Sequence, residues 1–178
     1  MTITIDATVG GASANAFVTE AEQIAYMATR LNASAWTTLT GATCTETEKA
    51  AMIEATRELS ARVWKGRRAT TTQALAWPRW NVYNPDSPVG FLYASDVIPD
   101  RVKVATMELA FQFLNAGTED LAAADPNAGV IEETVGPLTT RWQAASSRPS
   151  GLRRFTRIMQ QIAPLLDESP FTMTAVRG

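Results

Sequence analysis

Residues 99–117 constrain the fold more than any other stretch, because they read as one helix with little polar surface. Pro99 suits a first helical position, where its missing N–H leaves no bond unmade. Gly117 suits the residue just past the end, where a left-handed backbone costs glycine little. Between them Val102, Ala105, Leu109 and Phe113 recur at helical spacing, as do Val104, Met107, Phe111 and Leu114. Arg101, Glu108, Gln112 and Asn115 form one narrow polar stripe. A helix apolar over most of its circumference is buried on several sides. Each large side chain it buries contributes about 1.5–3 kcal/mol before entropy is counted. The stretch is too short to span a bilayer, and Glu108 and Gln112 interrupt it. It is expected to be the central core helix.

Two helices are expected before it. Thr19 and Glu22 make a capping box, in which each side chain satisfies the other residue's orphan N–H. The helix they open runs over residues 19–31, with Ile24, Met27 and Leu31 on one face. Thr45 and Glu48 repeat the device for residues 45–64, where Met52, Ala55, Leu59 and Val63 form the apolar stripe. The exit is basic, with Arg62, Lys65, Arg67 and Arg68, and Gly66 supplies a stop. Residues 69–98 read as a long ordered loop, in which Leu75, Trp77, Trp80, Tyr83, Phe91 and Tyr93 offer enough apolar area to pack down.

The pattern changes after the central helix. Residues 118–129 are acidic, then small, and end in Asp125-Pro126-Asn127-Ala128-Gly129. Residues 130–142 alternate like a strand and carry Gly136-Pro137 in the middle, which predicts a hairpin or a bent extended arm. A last helix is expected over residues 152–163. Leu152, Phe155, Ile158 and Ile162 lie on one face and Arg153, Arg154 and Arg157 on the other, with Pro164 ending it. The fold class is therefore mostly α: a small bundle of three main helices, a β-hairpin or extended-arm insertion and a C-terminal helix. Residues 1–129 form the helical core with an extended N-terminal segment. Residues 130–178 form a docking arm and not an independent domain.

Charge narrows the function. Residues 1–61 hold 7 acids and 3 bases, residues 62–79 hold 5 bases and no acid, residues 80–140 hold 9 acids and 2 bases, and residues 141–178 hold 6 bases and 2 acids. Blocks of alternating sign suit a chain that meets a partner, or its own copies, with opposite faces. The chain has no histidine and a single cysteine, Cys44. This excludes an intrachain disulfide, a histidine-containing metal site and any Ser-His-Asp or Cys-His nucleophile within one chain. No phosphate-cradling glycine loop and no converging pair of carboxylates is visible. The expectation is no enzyme, no cofactor and no metal. No signal peptide is expected at the N-terminus, and no membrane association. Residues 62–79 interleave bases with Trp64 and Trp77, the ingredients of single-strand binding, but both tryptophans are expected in the core.

Three segments together resemble a known family. Gly11-Ala12-Ser13-Ala14-Asn15-Ala16-Phe17-Val18-Thr19-Glu20-Ala21-Glu22 resembles that family's Asn-Ser-Tyr-Val-Ser-x-x-Glu-Ala lead into its first helix, with Ala16 for serine and Phe17 for tyrosine. Trp64-Lys65-Gly66-Arg67-Arg68 followed by Gln73-Ala74-Leu75-Ala76-Trp77-Pro78-Arg79 is similar to its most specific signature, and Ile98-Pro99 opens the central helix. The family is the head–tail adaptor (connector, head-completion) proteins of tailed bacteriophages, some of which carry the label DnaT-like single-stranded-DNA-binding. The resemblance covers residues 10–116 well and the rest loosely.

The resemblance implies a structural virion protein at the neck, assembled in the host cytoplasm. Members form a ring, usually twelve-fold, under the portal protein. A stopper or tail-completion protein docks below, and double-stranded DNA passes through the channel without sequence-specific contact. Trp64, Trp77, Pro78, Arg79 and Pro99 would be structural. Val135, Leu138, Leu152, Arg153, Arg154, Phe155, Arg157, Ile158 and Ile162 would face the portal or the neighbouring subunit, as parts of an arm separable from the core of residues 17–117. The alternative function is a replication accessory protein that binds single-stranded DNA.

Overall fold

The computed structural model describes residues 2–116, 132–135, 138–141, 152 and 155–167. Four helices and two short hairpin-like ribbons follow one another in these segments: α1 Glu20–Thr29, α2 Glu46–Ser60, β1 Arg67–Arg68, β2 Arg79–Trp80, α3 Asp100–Ala116, β3 Glu132–Val135, β4 Leu138–Arg141 and α4 Thr156–Ile162, continued by a 3-10 turn Ala163–Leu165. The chain is mostly helical, as its periodicity predicts.

Both capping boxes form. Glu22 N–H donates to Thr19 Oγ1 at 3.2 Å and Thr19 N–H to Glu22 Oε2 at 2.8 Å. At α2 the second box is part of a larger hub. Glu48 is 2% exposed. Its carboxylate accepts from the N–H groups of Thr37, Thr38 and Thr45 and from the hydroxyls of Thr37 and Thr38, at 2.7–3.1 Å. Burial alone would raise the Glu48 pKa, but these bonds, led by the Thr38 hydroxyl, outweigh it and hold it down at about 2. Cys44 is buried beside the hub, its N–H donating to Glu20 Oε2 at 2.7 Å. Burial, then the Glu48 and Glu20 charges, push its thiol up to about 12.

α3 lies at the centre, packed by α2 and by α4. Val102, Ala105, Leu109 and Ala110 are fully buried. The helix begins one residue later than expected: the Pro99 carbonyl accepts from Val102 N–H and Lys103 N–H. The polar stripe is not all solvated. Glu108 is 2% exposed and pairs with Arg30 at 3.2 Å and Arg157 at 3.5 Å, and it accepts from the Tyr26 hydroxyl. The Arg30 guanidinium also lies 3.8 Å from the Phe111 ring centre, a cation–π contact.

The C-terminal helix corrects an expectation. Leu152, Ile158, Ile162, Leu165 and Leu166 are buried in the same core as α2 and α3, and Phe155 packs against it. These side chains are spent on the chain's own interior and are not offered to a partner's groove. The segment is also tied by backbone: Lys65 N–H donates to Leu165 O at 3.0 Å and Asp167 N–H to Val63 O at 2.9 Å. Arg157 is exposed but turns to Glu108 and Tyr26. α4 starts at Thr156, later than residue 152. Arg153 and Arg154 lie outside the described residues. β3 and β4 pair antiparallel, the hairpin of the two expected alternatives, with Val135 the register partner of Leu138. Among the described residues, no helix is long and apolar enough to cross a membrane, and no group of three or more potential metal ligands occurs.

Candidate nucleic-acid interface

α2 ends at Ser60, short of the expected residue 64, and its C-cap Ala61 keeps a right-handed helical backbone before the chain turns away. Trp64 then turns inward, its indole N–H donating to Leu59 O at 2.9 Å. Trp77 meets Trp64 edge to face at 5.6 Å and Tyr93 at 6.3 Å. Trp64 and Trp77 are 3% and 1% exposed, and Pro78 and Pro99 are buried with them. The Trp77–Pro78 bond is cis. These residues are core, so neither tryptophan is available to stack on a base.

Arg79 sits where this core meets the surface. Its guanidinium donates to four carbonyls: Lys65 O at 2.8 Å, Ala76 O at 3.1 Å, Trp64 O at 3.2 Å and Gly66 O at 2.7 Å. Only a planar, multi-donor fork can hold so many acceptors at once. Burial, and secondarily the Arg68 charge, lower its pKa. Gln73 completes the base, accepting from Thr70 N–H and donating to Leu75 O and Pro78 O.

On this base stands the β1–β2 ribbon. Arg67 pairs with Trp80 and Arg68 with Arg79. Cross-strand partners share a face, with Cβ atoms about 4.5–5.5 Å apart, so Arg67 and Trp80 stand side by side. Trp80 is 47% exposed, and its indole N–H donates to Ala69 O at 3.2 Å, which fixes the ring. Lys65, Arg67 and Arg68 are exposed. No carboxylate of the described residues pairs with any of them or with Arg79. Arg67, Arg68, Ala69, Thr70, Thr71 and Trp80 line an open cleft of about 540 Å³. Two arginines, an aromatic face and two threonine hydroxyls line this cleft and can engage phosphate, base and sugar of a single strand.

The residues singled out from sequence thus divide. Trp64 and Trp77 touch in the core, Pro78 and Pro99 are also buried, and Arg79 lies at the core's edge. Trp80, Tyr83 and Phe91 were expected to pack down with the loop; all three are exposed. Trp80 is the aromatic that the sequence reading placed in the packed loop and the structure places at the surface. Its signal was slight: a tryptophan next to Arg79, in register with Arg67, in strands only two residues long.

A small helical chain with a basic, aromatic-bearing ribbon is the class that fold and site define. Residues 1–178 match the family described as "Putative DnaT-like ssDNA binding protein", and the chain belongs to that family. No curated protein and no solved structure matches it.

Proposed function

We propose that the chain binds single-stranded DNA through the β1–β2 ribbon. The single observation that carries this is Trp80, held half-exposed beside Arg67 on a ribbon whose arginines have no carboxylate partner among the described residues. The family's description supports the same reading. A phosphate backbone is the natural counter-charge for Lys65, Arg67 and Arg68, and a base has the π-face that Trp80 can stack against. Fluorescence anisotropy with a labelled oligo-dT tests it. With three cations in contact, the logarithm of affinity should fall with the logarithm of salt with a slope of about −2. Trp80→Ala should cost about 1–3 kcal/mol of binding. An unchanged affinity in Trp80→Ala overturns the reading.

A second reading keeps the resemblance to head–tail adaptors: a ring subunit between the portal protein and a stopper or tail-completion protein, in the neck of a tailed-phage virion. The observation favouring it is the exposed apolar loop with Tyr83, Val89, Phe91 and Leu92, the kind of surface that protein partners cover. The test is electron microscopy of the chain mixed with its portal protein. A ring stacked on the portal supports this reading; free portal beside monomeric chain defeats it.

A further inference from the structure

The loop that follows β2 is the most apolar exposed surface among the described residues. Tyr83, Val89 and Phe91 are 69%, 69% and 68% exposed, and Leu92 is 48% exposed. It is not a floppy tip. Tyr83 and Leu92 bridge across it, Asn84 N–H donates to Phe91 O and Tyr93 N–H to Val82 O, both at 2.9 Å. Within it Ser87 N–H donates to Asn84 O and Phe91 N–H to Ser87 Oγ. Arg101 clamps it from α3 through both oxygens of Asp86. A loop built this firmly presents its apolar side chains with little ordering entropy left to lose on binding.

Its net charge is acidic: Asp86, Asp96 and Asp100 are exposed in it and in the eight residues that follow it, and Arg101 offsets one of them. The ribbon carries the opposite sign: Arg67 and Arg68, lining one cleft with the apolar plate of Trp80. One face is apolar with an acidic rim and the other is apolar with a basic rim, and both belong to the same chain. We propose that the residue 83–92 loop of one copy docks on the β1–β2 ribbon of a second copy. Phe91 and Tyr83 meet Trp80, while the acidic rim meets Arg67 and Arg68. Opposite rims fix the register and steer the encounter. This contact does not depend on DNA binding, but it draws on the same cations.

The experiment is sedimentation equilibrium of the full chain and of two variants, Phe91→Asp and Arg67→Glu/Arg68→Glu. The wild type should gain mass with concentration up to about 100 μM, as for a small transient interface, and lose it as salt rises. Each variant alone should remain monomeric, because every contact needs one loop and one ribbon. Mixed in equal amounts they should associate again, the intact loop of one meeting the intact ribbon of the other. A monomeric wild type, association by either variant alone, or a monomeric mixture overturns the proposal. The mutated side chains are exposed, and a melting curve confirms each fold; Val89→Asp replaces Phe91→Asp if that variant melts early. Phe91→Asp keeps the ribbon, so its oligo-dT affinity tests the strand-binding reading independently.

Discussion

Gly66 lies so close to Trp80 that a Cβ on it would sit 2.0 Å from the Trp80 carbonyl oxygen. Its φ is +70°, in the left-handed region that side chains disfavour. The two constraints act together: the chain must turn here, and it must turn against backbone. Gly66→Ala should therefore destabilise the protein by about 1–3 kcal/mol through backbone strain alone. Urea denaturation measures this, and oligo-dT affinity should fall with it because β1 loses its register on β2.

Arg79→Lys should not rescue what Arg79→Ala loses. An ammonium group has three donors around one point and cannot span the carbonyls of Trp64, Lys65, Gly66 and Ala76. Both variants should lose about 1.5–3 kcal/mol for each charge-assisted bond that finds no substitute. Equal midpoints in urea for Arg79→Lys and the wild type would show that the fork geometry is unimportant.

Trp77→Ala should cost about 3–5 kcal/mol, as for large aromatic side chains deleted from a core. Trp77→Phe should cost less than half as much. The Trp77 indole N–H has no hydrogen-bond partner among the described residues, so phenylalanine gives up ring area and no polar contact with them. Comparing the two melting curves checks the ratio.

Glu48 should make stability depend on acid. Its folded pKa of about 2 lies below the ordinary value of 4.5. The stabilisation is therefore fully present above about pH 4.5 and is lost as pH falls toward about 2. Glu48→Gln should melt earlier at neutral pH and show a flatter decline across that window. A parallel pair of melting-temperature profiles would contradict the assignment.

Deleting residues 147–178 should unfold the chain and not merely remove a docking arm. The truncation strips Leu152, Ile158, Ile162, Leu165 and Leu166 from the core. At about 1.5–3 kcal/mol per buried side chain, the loss rivals the whole stability of an ordinary domain, about 5–15 kcal/mol. Circular dichroism of the truncated chain decides the matter.

What could be read in the sequence was whatever repeats with a local period or follows a fixed spacing. Thr19 with Glu22, Thr45 with Glu48, and the two apolar rows of α3 are of this kind, and the helices follow from them. The ribbon is not. Two-residue strands have no alternation to detect, and whether Trp64 or Trp80 faces water depends on where α2 stops and on a positive φ at Asn81. The α4 residues were legible as an amphipathic face. Their destination was not, because a face that fits a partner's groove fits the chain's own core equally well. Glu108 shows the same limit: its place in a polar stripe says nothing of Arg30 and Arg157, which come from sites 78 and 49 residues away in the chain.

Cys44 bears on how such experiments can be done. A thiol with a pKa of about 12, shut inside the core, is almost wholly protonated at neutral pH. The thiolate is the reactive form, so maleimide reagents should pass the native chain by. A cysteine placed at Val89 or Thr71 would then be the sole labelling handle, with no cysteine-free background to build first. Dyes on the loop and beside the ribbon, each on its own batch of protein, would report by energy transfer whether two copies meet.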